Sequence, residues 1–236
     1  MIVERPKAAR SLVNAMISAH FGSKEITVLE AGGGAWSRIS KARNIRISSI
    51  TAVDIDAGQL ERNNYAGKKI LADLEQHKFE DKYDLIEIVY VLEHVERVDM
   101  ALENIMEASG DDGLIVISCP YMYSLSGMVT RFTPHWFHVF FRRHVSGEEN
   151  AGKEGFPPFR THYHPLIAPK RLERFLNARG FSTDLMVYFE SGIYKRLGVI
   201  KIPVLAIISL VNIVTPKTYN ARNGEYCMVF RNTSRA

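Results

Sequence analysis

The stretch Val28-Leu29-Glu30-Ala31-Gly32-Gly33-Gly34-Ala35-Trp36-Ser37 constrains the fold more than any other part of the chain. A short apolar run from Ile26 to Leu29 ends on a carboxylate and gives way to three glycines. With a helix expected over Ser37 to Arg43, this reads as strand, tight turn and helix. Glycine admits φ > 0 and leaves no Cβ between the main chain and a ligand. At the carboxyl end of the first strand of an α/β sheet, such a turn is where nucleotide-like ligands sit. The dinucleotide fingerprint G-x-G-x-x-G is incomplete, because Ser37 stands where its third glycine belongs. Glu30, two residues before the first glycine, would repel a pyrophosphate and suits an ammonium group.

Two further strands are expected to end in acid. Ile50-Thr51-Ala52-Val53-Asp54 places Asp54 at the distance from the glycine turn at which a carboxylate meets ribose hydroxyls. Asp56 is then the N-cap of a helix from Ala57 to Tyr65. Lys69-Ile70-Leu71-Ala72-Asp73-Leu74 is the third strand. Strand ends in a parallel sheet face one crevice, so Glu30, Asp54 and Asp73 together say more than any one of them. A fourth strand over Asp84 to Val89, a helix over Val98 to Ala108, a turn at Gly110 to Gly113 and a fifth strand over Leu114 to Cys119 continue the alternation. Pro6 opens a helix over residues 6–21, with Leu12, Ala15, Met16 and Ala19 as its apolar stripe.

Several of these segments resemble the class I S-adenosylmethionine-dependent methyltransferases of the type 11-like group. Glu30-Ala31-Gly32-Gly33-Gly34 is similar to that family's E-x-G-x-G motif, with Trp36 where a further glycine is usual. Asp54-Ile55-Asp56 resembles its V-D-I-S segment, and Tyr83 to Val95 its F-D-L-V…L-E-H-V segment. Ala168 to Phe181 resembles the helix that precedes its sixth strand. The resemblance implies a Rossmann-like seven-stranded sheet, parallel except for a reversed last strand, flanked by helices. It implies S-adenosylmethionine as cofactor, bound by Glu30, Gly32, Gly34, Asp54, Ile55, Asp73, Leu74 and Tyr90. Asp54 would hold the ribose, Ile55 line the adenine, and Asp73 receive the adenine amino group. Glu93 and His94 would open the next helix near the reactive sulfonium. Strands six and seven are expected over Thr183 to Phe189 and Glu225 to Arg231.

Two segments lie outside the resemblance. Residues 121–165 hold ten of the chain's 24 aromatic residues and five of its eight histidines. Thr133 to Arg143 reads as an amphipathic helix and Gly147 to Pro158 as a loop. Long irregular segments in compact domains are usually functional or disordered, and the aromatic content opposes disorder. The expectation is a substrate lid inserted after strand five. His94, His135, His162 and His164 are the candidates for a catalytic base. No cysteines or acids stand at ligand spacing beside the lid histidines, so no metal site is expected.

The second such segment, residues 191–223, contains the uncharged run Ile202 to Val214. Thirteen residues fall short of the roughly 20 that a spanning helix needs. Either the run is buried beneath the lid or in a homodimer interface, or it dips into a membrane surface through residues 199–217, with Lys195, Arg196, Lys201 and Lys217 as basic flanks. The formal charge of +4 is too small to argue for nucleic acid. The N-terminus lacks the apolar core of a signal peptide, and Cys119 and Cys227 lie in apolar runs as buried thiols. A cytoplasmic location, with membrane association in the second case, is expected.

All 236 residues are expected to form one methyltransferase domain. Its reaction would be methyl transfer to a small-molecule, sugar-containing or lipid-linked acceptor, at a hydroxyl. The alternatives are a non-catalytic nucleotide-binding or membrane-surface module of the same fold, and a nicotinamide-dependent oxidoreductase, which Ser37 and Glu30 oppose.

Overall fold

The computed structural model describes the chain except residues 1, 4, 5, 38, 40–43, 125, 126, 128–132, 145, 146, 154, 155, 157, 191–200, 215–222, 235 and 236. Its strands are β1 (Ile2–Val3), β2 (Glu25–Ala31), β3 (Arg46–Asp54), β4 (Lys68–Leu71), β5 (Tyr83–Val89), β6 (Ser109–Pro120), β7 (Phe181–Glu190) and β8 (Asn223–Asn232). The helices are α1 (Pro6–Phe21), α2 (Ala57–Arg62), α3 (Val98–Ala108), α4 (His135–His144), α5 (Pro169–Asn177) and α6 (Lys201–Val214).

The strands form one sheet in the order β1-β7-β8-β6-β5-β2-β3-β4. Neighbours from β6 through β4 pair in parallel, whereas β8 runs antiparallel to both β6 and β7. This is the expected seven-stranded sheet with one reversed strand. The two-residue β1, paired in parallel with β7, adds an eighth at the edge that the amino-acid pattern did not announce. The helix expected over Ser37 to Arg43 lies largely outside the described residues, as do Lys195, Arg196 and Lys217.

Alternation along each strand gives the sheet two apolar faces. Ile86, Ile88, Ile115 and Ile117 pack with Leu102 and Ile105 of α3 and Leu172 and Leu176 of α5. On the opposite face Val28, Leu85, Val116 and Val229 pack with Ala9, Val13 and Ile17 of α1. The buried stripe of α1 is therefore Ala9-Val13-Ile17, while Ala15 and Ala19 of the expected stripe are exposed. The β-branched residues bury more apolar area than alanine, and they decide which way the helix is turned.

The expected turn at Gly110 to Gly113 is instead a wide irregularity inside β6. Tyr83 and Leu85 of β5 face Ser109 and Leu114, and Asp112 takes a positive φ of 57°. The returning end of the insertion after β6 is pinned to the core. Tyr226 is fully buried, and its hydroxyl donates to the Ile167 carbonyl at 2.5 Å, tying β8 to the short 3-10 turn Pro165–Ile167 ahead of α5. Cys119 and Cys227 are buried free thiols.

In α6, Ile208 is buried while Ile202, Ile207, Leu210 and Ile213 are exposed. Among the described side chains of this helix, several large apolar ones face its surroundings while Ile208 faces the core. No helix among the described residues is long and apolar enough to cross a membrane.

The Tyr226 contact yields a stability prediction. Tyr226→Phe leaves the Ile167 carbonyl without its phenol donor in a dry core. Unfolding free energy in a denaturant titration is expected to fall by about 1–3 kcal/mol. An unchanged midpoint would show that this bond holds nothing.

Candidate active site

At the carboxyl edge of the sheet, β2 runs into the glycine turn. The Gly32 and Gly33 amides both donate to the Val53 carbonyl, at 2.8 and 3.1 Å, which fastens the turn to β3. Gly32 and Gly34 have φ of 69° and 45°. A Cβ at Gly32 would lie 2.2 Å from Val91 Cγ2, and one at Gly34 would lie 2.8 Å from Gln59 Oε1. The glycines are required by the protein's own close packing as well as by backbone conformation.

Glu30 is buried at 4% exposure and accepts a hydrogen bond from the Ser37 hydroxyl at 2.6 Å. Ser37, where the dinucleotide fingerprint would carry glycine, orients the acid that sets this turn apart. Glu30 stands in register with Glu87 on β5, a second buried carboxylate on the same sheet face. Glu87 was missed in the amino-acid reading, although an acid inside the apolar run Leu85 to Val89 is a visible signal.

Asp54 ends β3. Its Oδ2 accepts the Gly34 amide and its Oδ1 the Asp56 amide, both at 2.9 Å. Each carboxylate oxygen has a second lone pair for a ligand hydroxyl. Asp56 caps α2, accepting the Gln59 amide at 2.9 Å, as expected. The fully buried Asn63, which carried no motif, joins these pieces. It donates to the Gly34 carbonyl at 2.9 Å and accepts the Tyr65 and Ala66 amides at 3.0 Å.

Beside Asp54, Ile55 is 74% and Leu71 62% exposed, two large apolar side chains at the rim of the crevice. Asp73 accepts the Glu75 amide at 2.9 Å and the Gln76 side-chain amide at 3.3 Å. The Leu74 side chain is buried, and its carbonyl is held by Asn104 at 2.8 Å. Only the Leu74 main chain is therefore placed to meet a ligand.

After β5, Tyr90 takes a φ of 59° and donates its amide to the Ser118 carbonyl at 2.8 Å. Its hydroxyl donates to the Glu225 carboxylate at the start of β8. Glu93 and His94 do not open the next helix. They form a single 3-10 turn, Leu92–His94, and α3 begins only at Val98. The turn leaves the Glu93 carbonyl facing outward, where it accepts the His162 and Tyr163 amides at 2.8 and 3.4 Å.

His94 Nδ1 donates to the Arg160 carbonyl at 2.5 Å, and its ring meets Phe159 edge-on. His94 and His162, 68 residues apart in the chain, are thus brought together. Glu93 Oε1 lies 3.9 Å from His94 Nε2, and Glu96 Oε1 lies 3.7 Å from His162 Nε2. The other two candidate histidines are not joined to this pair. His135 is exposed at the start of α4, and His164 Nδ1 accepts the Leu166 amide at 3.2 Å as the cap of the 3-10 turn. Among the described residues no group of three His, Cys, Asp or Glu is arranged to hold a metal ion.

A parallel sheet with one reversed strand, a glycine turn after β2, and acids in β2, at the end of β3 and two residues beyond the end of β4 define a Rossmann-like fold; the third expected strand stops at Leu71, short of Asp73. The methyltransferase domain model matches residues 2–184. The chain therefore belongs to the methyltransferase family, and it is an S-adenosylmethionine-dependent methyltransferase.

Solved structures agree on the fold. The N-methyltransferase NodS of Bradyrhizobium japonicum WM9, in complex with S-adenosylhomocysteine, is 13% identical over 94% of this chain and 86% of its own, with a TM-score of 0.53. Magnesium protoporphyrin IX methyltransferase of Synechocystis PCC 6803, also with bound S-adenosylhomocysteine, is 15% identical over 96% and 82%, with a TM-score of 0.55. A SAM-dependent methyltransferase of Archaeoglobus fulgidus is 16% identical over 94% of both chains, with a TM-score of 0.54. No curated protein matches the chain.

His94 makes a pH prediction. Burial pushes its imidazole below the ordinary 6.5, and His162 adds to the effect while the Arg160 carbonyl opposes it. The folded state therefore disfavours protonation. The stability contributed by neutral His94 is present above pH 6.5 and is lost as pH falls through and below that value. Hydrogen-exchange protection of the amides at 162 and 163, corrected for intrinsic rates, is expected to drop between about pH 7 and about pH 5. Flat protection across that range would sever His94 from the anchoring of this segment.

Proposed function

We propose that the crevice binds S-adenosylmethionine with Asp54 on the ribose hydroxyls, Ile55 against the adenine, Asp73 and the Leu74 amide at the adenine edge, and Glu30 toward the amino-acid ammonium. Gly32, Gly34 and Tyr90 border the methionine portion. The observation that carries this reading is the Asp54 carboxylate, oriented by two backbone amides beside exposed Ile55. A carboxylate already held in place loses little freedom on accepting a vicinal diol, and an apolar rim suits a purine face.

When bound, this cofactor supplies an electrophilic methyl group. The chain's task is to align a nucleophile with it, and alignment provides much of such an acceleration. The methyl acceptor is, on this reading, a hydroxyl of a small, sugar-containing or lipid-linked metabolite. Residues 121–165 act as its lid, and His94 and His162 hold the returning end of that lid to the Glu93 carbonyl and the 3-10 turn.

Calorimetry tests the cofactor site. Asp54→Ala is expected to weaken S-adenosylmethionine binding by about 1.5–3 kcal/mol, the range for hydrogen bonds to a charged group. Undiminished affinity in a folded variant would remove Asp54 from the ribose. Incubation with radiolabelled cofactor and fractionated cell extract is expected to label a small polar or lipid-linked product. Label confined to protein or nucleic acid would overturn the acceptor class.

A second reading concerns α6. We propose that it rests on an anionic membrane surface, because Ile202, Ile207, Leu210 and Ile213 are exposed on a helix with basic flanks. Basic side chains near such a surface add about 1 kcal/mol each. Co-sedimentation with vesicles is expected to rise with anionic lipid and fall with salt. Ile207→Asp with Leu210→Asp should abolish it while cofactor binding persists. Indifference to vesicles together with a concentration-dependent dimer would assign the face to a second copy instead.

A further inference from the structure

We propose that Tyr90 and Glu225 are the proton-accepting pair of the reaction, and that the acceptor is a sugar-like polyol whose reacting hydroxyl docks against the Tyr90 phenol. This rests on the methyl-transfer reading above and deepens it.

The backbone of Tyr90 is the first observation. Along β5, Leu85 belongs to the apolar layer beneath α1, and Ile86 and Ile88 to the layer beneath α3. Simple alternation would put Tyr90 with Ile86 and Ile88. Its φ of 59° breaks the alternation. The side chain instead joins Glu87, Val89, Ser118 and Cys227 in the wall of a cavity under α1. A bulky residue seldom adopts this conformation, and such strain persists where surrounding contacts impose it. Here the amide bond to the Ser118 carbonyl and the phenol bond to Glu225 do so.

The second observation is position. The next residue, Val91, is the one that packs on Gly32, so Tyr90 leaves the sheet beside the turn that receives the methyl donor. Glu225 reaches the same edge because β8 is reversed: it lies opposite Pro120, the last residue of β6.

The third is the chemistry of the cavity. Its lining combines the apolar Val13 and Phe189 with Arg10 and Asn14 from α1 and Glu87 and Ser118 from the sheet. A guanidinium, an amide, a carboxylate and a hydroxyl offer donors and acceptors in mixture, which matches several adjacent hydroxyl groups better than it matches a purely cationic or purely apolar acceptor.

The step balances as follows. The acceptor hydroxyl donates to Tyr90 Oη while the phenol proton passes to a Glu225 oxygen. The oxygen–methyl bond forms as the sulfur–methyl bond breaks. The sulfonium charge disappears as Glu225 is neutralised, so net charge is conserved and no further reagent is needed.

The experiment uses the 236-residue chain and two probes, S-adenosylhomocysteine and the S-adenosylmethionine analogue that bears an amino group in place of the transferable methyl. If Glu225 and Tyr90 face the methyl position, the wild type binds the amine analogue at least about tenfold more tightly than S-adenosylhomocysteine. In Glu225→Gln that ratio is expected to fall toward one, with affinity for S-adenosylhomocysteine unchanged, which also shows that the variant is folded. Equal ratios in wild type and variant overturn the proposal. Failure of the wild type to bind either probe overturns the cofactor reading and this pair with it. In the labelled-extract assay, Tyr90→Phe and Glu225→Gln should each lower kcat about 10²–10⁴-fold, with the KM for cofactor unaltered in Glu225→Gln. Turnover within about threefold of wild type in both variants also overturns it.

Discussion

The carboxyl edge of this sheet depends on how closely the glycine turn approaches its neighbours. Two successive amides share the Val53 carbonyl, and Gly32 leaves no room for even a methyl group against Val91. That contact sets the spacing between β2 and the segment leaving β5. Glu30, Asp54 and Tyr90 take their positions from it. Ser37 and Asn63 reinforce the arrangement from either side of the turn, one through Glu30 and the other through the Gly34 carbonyl. A buried network of this kind is worth having only when its members are satisfied, and the backbone amides and carbonyls of the turn supply most of the partners.

Reversal of β8 matters as much as the parallel strands do. In a parallel sheet the ends of strands converge, so acids that close apolar runs, such as Glu30 and Asp54, can be found by eye, whereas Asp73 lies beyond the end of β4. A reversed strand brings its beginning to the same edge. Glu225 is the third residue of β8 and carries no strand-end signature. Tyr90 was legible as a position but not as a geometry. The sign of one backbone dihedral decides which face its ring occupies, and no side-chain pattern encodes that sign for tyrosine.

The histidines show the same limit from another side. Clustering in an aromatic segment suggested a shared role for His135, His162 and His164, yet His162 is joined to the turn carrying His94 across 68 residues of chain, while His164 caps a local turn. Local side-chain-to-backbone bonds compete for such residues, and sequence spacing does not reveal which contact wins. The parallel strands follow from periodicity, and the reversed last strand is what the family resemblance implies. The turn of α1 about its axis was not, since alanines and β-branched residues interleave along it and only burial separates them.

Charge gives the crevice its direction. The whole chain is formally +4, yet Glu30, Glu87 and Glu93 are buried near the carboxyl edge, with Asp54 and Asp73 at its rim. Carboxylates removed from water are costly unless something at the site repays their desolvation. Glu30 and Glu87 are side by side in register on one face. A pyrophosphate would add two more negative charges to this edge, whereas a ligand carrying a sulfonium and an ammonium brings positive charge to it. The distribution of acids along four neighbouring strands thus selects against a dinucleotide on electrostatic grounds that are independent of the missing third glycine.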